Sequence, residues 1–344
     1  MRAAVLYAAK DLRIEHVAEA PLGPGEVEVR IEAGGICGSD LHYYFDGGFG
    51  TVRLREPMIL GHEIAGTVTR VGADVARVKP GQRVAVNPSR PCGHCRYCQE
   101  GKQQHCLYMR FYGSAMPFPH IQGGFRDVLV CDEAQAVAVP ATMSAAQAAF
   151  AEPFAVCLHA VNRAGVLFGK RVLVTGAGPI GALTVIAARR AGALEIVATD
   201  VADAPLAAAK RVGADVTINV SEKDALARYG ADKGTFDVMF EASGNARALA
   251  GGFAVVRPGG VVVQIGIAGG EMSLPMNVVV AKEIELRGTF RFHAEFALAV
   301  ALIGSGVADV MPLLTATLPL ARANDAFALA ADRSKAMKVQ LAFG

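Results

Sequence analysis

The chain has 344 residues, enough for two separately packed cores. Its 34 Lys and Arg against 32 Asp and Glu leave a net charge of +2, and no basic run exceeds two residues, which disfavours a nucleic-acid binder. Met1 to Tyr7 lacks the charged segment and long apolar core of a secretory leader, and no apolar stretch reaches the length of a membrane span, so a cytoplasmic location is expected. There thiols stay reduced, and clustered cysteines favour metal over disulfides.

In chain order, Arg2 to Tyr7, Val27 to Ile31, Ile64 to Val71 and Gln82 to Val86 alternate or run apolar between Gly and Pro turn signals, predicting a β-rich unit. Within it, Cys37 lies in Gly35-Ile36-Cys37-Gly38-Ser39-Asp40-Leu41-His42, and His62 in Gly61-His62-Glu63. A Cys, a His and a carboxylate form a set that can hold zinc with one position open, although spacing alone does not join them. Next, Cys92, Cys95, Cys98 and Cys106 crowd into fifteen residues. Two-residue spacers let sulfurs converge on one ion, so a closed four-thiolate zinc site is expected, ahead of disulfides or a zinc knuckle. Cys131 and Cys157 have apolar neighbours and read as core residues, while His94 and His105 are surplus to the four thiolates.

From about Lys170 the pattern becomes strand and Ala-rich helix in alternation. Arg171 to Thr175, Glu195 to Asp200, Val216 to Val220, Phe236 to Glu241 and Gly260 to Ile267 read as strands, with Ile180 to Arg190 and Ala204 to Val212 as helices. Such alternation predicts a parallel sheet covered on both faces. Gly176, Gly178 and Gly181 form GxGxxG, with Pro179 and Ile180 inside it, between a strand and a helix. Gly176 suits the tight turn, Gly178 lets the backbone approach a pyrophosphate, and Gly181 allows close helix packing. Asp200 ends the next strand, where a carboxylate can accept from both ribose hydroxyls and repel a 2′-phosphate, so NAD is favoured over NADP. The tail adds helices at Ala294 to Ile303 and Ala323 to Ala331 and a strand at Lys338 to Phe343.

GICGSDLH, GHE, the four-cysteine lobe, Ala151-Glu152-Pro153 and GAGPIG follow one another in that order. In this succession the chain resembles the zinc-dependent medium-chain alcohol and polyol dehydrogenases over nearly its whole length. The resemblance implies an α/β fold: a GroES-like β-rich catalytic domain over 1–152 and 288–344, and a Rossmann domain with a doubly wound parallel sheet over 153–287. It implies two zinc ions and NAD. The catalytic zinc would sit on Cys37, His62 and a glutamate, either Glu63 or Glu152, with the choice left open. Zinc would acidify an alcohol whose carbon passes hydride to nicotinamide, while Ser39 and His42 relay the proton to solvent. Asp40 is expected to support the zinc histidine or its turn.

Tyr43, Tyr44, Phe111 and Arg291 are expected around the substrate; Tyr hydroxyls and an Arg fork suit a polyol, and Arg also suits a carboxylate. The segments FYGSAMPFPHIQGGF and FRFHAEF are more similar to the L-idonate 5-dehydrogenase branch than to sorbitol or xylitol dehydrogenases, placing a sugar acid ahead of a polyol. A catalytically lapsed zinc and dinucleotide-binding protein is the rival from another class. The resemblance also suggests a homodimer or homotetramer, with a sheet edge around Met272 to Val280 as a pairing surface.

Overall fold

A computed structural model describes residues 1–268 and 270–344. Two large sheets dominate it. The first runs, in spatial order, Ala136–Ala138, Arg83–Val86, Glu63–Val71, Glu26–Gly35, Lys338–Ala342 and Leu314–Pro319, with Val128–Asp132 also paired to Glu26–Gly35. Its centre joins the two ends of the sequence: Gln340 lies opposite Gly35 and Ala342 opposite Ala33 in antiparallel register. The two flanking strands carry alternating apolar residues, and Val27, Val29, Ile31, Ile64, Val68, Val339 and Leu341 form the core beneath them.

The second sheet has six strands, all parallel, ordered Val216–Asn219, Glu195–Asp200, Arg171–Thr175, Phe236–Glu241, Val256–Gln264 and Glu285–Gly288. This is the doubly wound arrangement, and its strand order reverses beside Arg171–Thr175, where ligands bind at the carboxyl ends of the strands. Val172, Leu173 and Val174 are fully buried, as expected of a strand covered on both faces. The helix Ala151–Ala164 packs on both Pro179–Arg190 and Glu295–Gly304, and so ties the sheet-covering helices to the residues entering the first unit.

Several elements depart from the sequence expectations. Met272 to Val280 forms no sheet edge: Met276–Ala281 is a short helix, and the edge strand is Glu285–Gly288. The β-branched run at Val278 to Val280 suggested a strand, but Val279 is buried while Val280 is 74% exposed, and the turn closes after Pro275. Val256–Gln264 starts earlier than Gly260. Helices Gly38–Asp46, Ala151–Ala164 and Ala246–Val255 went unread, because glycine-rich or motif-dense sequence masked their periodicity. Among the described residues, no helix is long and apolar enough to cross a membrane.

Candidate active site and metal centres

Three elements bring the dispersed ligand candidates together. Cys37 precedes the helix Gly38–Asp46, whose start is held by Asp40: its Oδ2 accepts from the Cys37 N–H at 3.0 Å, and its Oδ1 from the Gly61 N–H at 3.2 Å. One buried carboxylate thereby fixes the loop that carries Cys37 to the loop that carries His62. Gly47, at φ 67°, ends the helix in the left-handed conformation. Glu63 opens the strand Glu63–Val71 directly opposite Gly35, and a Cβ at Gly35 would lie 2.0 Å from Glu63 Oε2. Only glycine leaves room for that carboxylate.

The ligand atoms of Cys37, His62 and Glu63 all lie within 4.8 Å of one another. His62 is 4% and Glu63 1% exposed. Among the described residues, His62 Nδ1 is buried without a hydrogen-bond partner, and it stands 3.8 Å from Asp40 Oδ1. Burial pushes the Cys37 thiol up to about 12, with Glu63 adding to the shift and Lys338 opposing it. A thiol, an imidazole and a carboxylate packed this closely fit a divalent cation, which relieves their mutual cost. Glu152, buried in the first turn of Ala151–Ala164, falls outside this close trio. Burial pushes its carboxyl up to about 8 against the pull of His62.

Lys338 went unread in the sequence. Its side chain is 3% exposed, and Nζ lies 2.6 Å from Glu63 Oε1, 2.5 Å from Glu63 Oε2 and 3.1 Å from the Ile36 carbonyl. The signal was there: a lone Lys opening a closing strand with no other charged residue.

The cysteine lobe is also assembled. Cys95 and Cys98 sulfurs are 3.6 Å apart, and Cys92 to Cys98 and Cys95 to Cys106 are each 4.0 Å. Four thiolates on one zinc at about 2.3 Å stand roughly 3.8 Å apart, so the spacing fits the ion. All four cysteines are free of disulfides. Backbone N–H groups of Cys92 and Tyr108 donate to Cys106 Sγ, and that of Cys95 to Cys92 Sγ, as suits thiolate acceptors. Cys131 and Cys157 are buried, as expected.

Ser39 and His42 lie three residues apart on the helix Gly38–Asp46, hence on one face. Ser39 lies two residues after Cys37 in the first turn, while the His42 ring is half-exposed with Nδ1 3.3 Å from Asp46 Oδ2. The pair thus runs from the ligand cluster toward solvent. Tyr43 is buried and its hydroxyl accepts from the Ala115 N–H at 3.0 Å, bracing the loop after Phe111. Tyr44 instead donates to Asn324, away from the trio. The Phe111 ring centroid is 5.4 Å from that of His62. The Arg291 guanidinium lies over Phe111 at 4.2 Å and over Phe290 at 4.9 Å. Arg291 has φ 52°, a left-handed conformation that clashes of Cβ with the backbone disfavour, and forms no ion pair among the described residues. Burial pushes it down to about 10, with Glu152 and Tyr43 opposing.

At the second sheet, Gly176 has φ 83°, and a Cβ there would meet the Ser243 N at 2.7 Å; at Gly181 one would lie 1.8 Å from the Gly176 carbonyl. Gly178 caps Pro179–Arg190 and faces open space, leaving the helix N-terminus accessible to an anion. Ile180 follows in its first turn. Asp200 Oδ2 accepts from the Ala177 N–H at 2.8 Å and Oδ1 from those of Val201 and Ala202, so the acid is locked to the glycine turn.

Two zinc-competent centres and a dinucleotide turn define a zinc-dependent dehydrogenase. The chain belongs to the zinc-binding alcohol dehydrogenase family: residues 23–141 match the alcohol dehydrogenase GroES-like domain and 179–305 the zinc-binding dehydrogenase domain. It is 46% identical over 315 residues to L-idonate 5-dehydrogenase (NAD(P)(+)) of Escherichia coli strain K12, covering 92% of this chain and 91% of that one. Sorbitol dehydrogenase of Bacillus subtilis strain 168 is 35% identical over 347 residues, covering 99% and 97%. The crystal structure of the Escherichia coli L-idonate 5-dehydrogenase superposes with a TM-score of 0.94 at 43% identity, over 99% of this chain and 98% of that one.

Proposed function

We propose that this chain is an NAD-linked zinc dehydrogenase that interconverts L-idonate and 5-keto-D-gluconate. The observation that carries the reading is the convergence of Cys37, His62 and Glu63 within 4.8 Å. Bound zinc supplies a Lewis acid that makes a substrate hydroxyl acidic, and NAD supplies the hydride acceptor. Cys37, His62 and Glu63 would hold that ion, while Lys338 pairs with Glu63 and orients it. Asp40 steadies His62 and Cys37 from behind. Glu152 acts as a neutral or water-bridged partner, since a second carboxylate at the centre resists ionisation. Ser39 takes the alcohol proton and His42 passes it outward, leaving no charge stranded in the cleft. Arg291, held by two rings and lacking a protein carboxylate, fits the carboxylate of a sugar acid; Phe111 walls the pocket, and Tyr43 holds the wall in place.

Gly176, Gly178, Pro179, Ile180 and Gly181 receive the pyrophosphate, and Asp200 the adenosine ribose, which supports NAD over NADP. Cys92, Cys95, Cys98 and Cys106 hold a second, structural zinc. Seven free cysteines suit the cytoplasm. Association into a dimer or tetramer fits the edge strand Glu285–Gly288, which is paired on one side only among the described residues.

The test is NADH formation with L-idonate, sorbitol, xylitol, D-gluconate and L-threonine, with NAD and NADP in parallel. L-idonate with NAD should give the highest kcat/KM, and Cys37→Ser should abolish turnover in a folded protein. A preference for L-threonine would overturn the substrate assignment.

A further inference from the structure

Side chains along an extended segment alternate between its two sides, so the neighbours of Phe111 face away from the candidate active site. Arg110 and Tyr112 line a cavity of about 170 Å³, together with Arg126, His120, Gln122 and Glu19. An ordered water takes about 30 Å³, so the space admits a tetrahedral oxyanion or a short organic acid.

The lining is unbalanced. Arg126 uses only Nε, which donates to the Gly123 carbonyl at 2.8 Å. Among the described residues, neither of its Nη atoms has a hydrogen-bond partner, and no carboxylate lies within 4.0 Å. Burial pushes this guanidinium down to about 10, the nearby Tyr112 hydroxyl alone opposing the shift. The Arg110 side chain likewise has neither ion pair nor hydrogen bond among the described residues. The other polar groups are already used. His120 Nε2 accepts from the Arg55 N–H and its Nδ1 donates to the Pro117 carbonyl, each at 2.9 Å, which leaves neither ring nitrogen free. Gln122 Oε1 accepts from the Ile59 N–H at 2.8 Å. Glu19, the sole carboxylate on the lining, is 54% exposed.

Arg126 is half-buried and Arg110 exposed, so both guanidinium groups can be reached from the cavity, and their planar forks match two oxygens of a carboxylate or phosphate. We propose that this cavity is a second, non-catalytic binding site for a small oxyanion, held by Arg126 from within and by Arg110 at the rim. Carboxylate and phosphate share the required chemistry, and the experiment separates them.

Isothermal calorimetry is run with inorganic phosphate and, separately, with acetate. NADH is kept saturating to fill the pyrophosphate groove, and an Arg291→Met background removes the guanidinium assigned to the substrate carboxylate. Saturable binding is expected from at least one of the two, in excess of sodium chloride at equal ionic strength. Phosphate alone would identify a phosphate-type ligand, acetate alone a carboxylate-type ligand, and both together the shared chemistry. Arg126→Met should weaken that binding at least tenfold, and Arg110→Gln by a few-fold. Heats no larger than those of sodium chloride, or an unchanged affinity in Arg126→Met, would overturn the site. Should Arg126→Met fail to fold, Arg126→Lys keeps the charge but loses the fork, and unchanged phosphate and acetate affinity in both Arg126→Lys and Arg110→Gln would overturn it equally.

Discussion

Replacing Lys338 by Met deletes the cation from a pair whose side chains are 3% and 1% exposed. Met preserves most of the stem, so packing is nearly conserved and the charge is what changes. The substitution removes contacts of 2.6 and 2.5 Å to Glu63 and one of 3.1 Å to the Ile36 carbonyl. Breaking a buried pair from one side costs about 3–5 kcal/mol, because the remaining charge has no water to retreat to. In a cooperative unit of 150–250 residues, ~3 kcal/mol corresponds to a fall in Tm of roughly 6–12 °C. The measurement is a thermal melt of the metal-loaded protein at matched zinc content, beside Glu63→Gln and the double variant. The double variant should lose less than the two single losses added together, by about 2 kcal/mol, since one lesion already breaks the pair. Lys338→Arg should recover most of the stability. A fall in Tm below about 2 °C for Lys338→Met, or strict additivity, would refute the view that Lys338 neutralises Glu63.

Three other outcomes are expected. Cys95→Ser should release one zinc per chain by elemental analysis and lower Tm, while kcat of the surviving folded enzyme stays near wild type; a collapse of kcat with Tm intact would argue that the lobe takes part in chemistry. Arg291→Met should cut kcat/KM for L-idonate by about 30-fold or more, the loss of a buried charge-assisted contact of about 2 kcal/mol or above, yet change sorbitol turnover little; equal losses on both would remove Arg291 from carboxylate recognition. At Glu295, burial works to raise the carboxyl, but hydrogen bonds from His159, the His293 N–H and Asn162 outweigh it and hold it at about 2. A carboxyl depressed from its unfolded value stabilises fully above pH ~4.5 and loses that contribution as pH falls toward 2. Urea unfolding should therefore show a gap between wild type and Glu295→Gln of about 2 kcal/mol at pH 7 that narrows from pH 5 to pH 3; a gap independent of pH would contradict the assignment.

The sequence by itself determined the features that depend on neighbours along the chain. The cysteine lobe is one, since ligands spaced by two or seven residues converge without help from the rest of the fold. The GxGxxG turn is another, because strand, glycines, helix and the acid at Asp200 all lie within thirty residues. The parallel sheet was legible for the same reason, as each strand is a nearly continuous apolar run. Tertiary structure alone decided the rest. Cys37, His62 and Glu63 become one cluster because Gly35 pairs opposite Glu63 and Asp40 ties both loops, and the family resemblance supplied that expectation where spacing could not. Lys338 reaches Glu63 across 275 positions only because the last strand pairs with Glu26–Gly35. Arg291 meets Phe111 in the same way, through a backbone turn at positive φ that no local pattern announced. The physical division is one of range: ligand spacing and turn sterics act within a few residues, whereas charge pairing and ring stacking wait for the sheets to close.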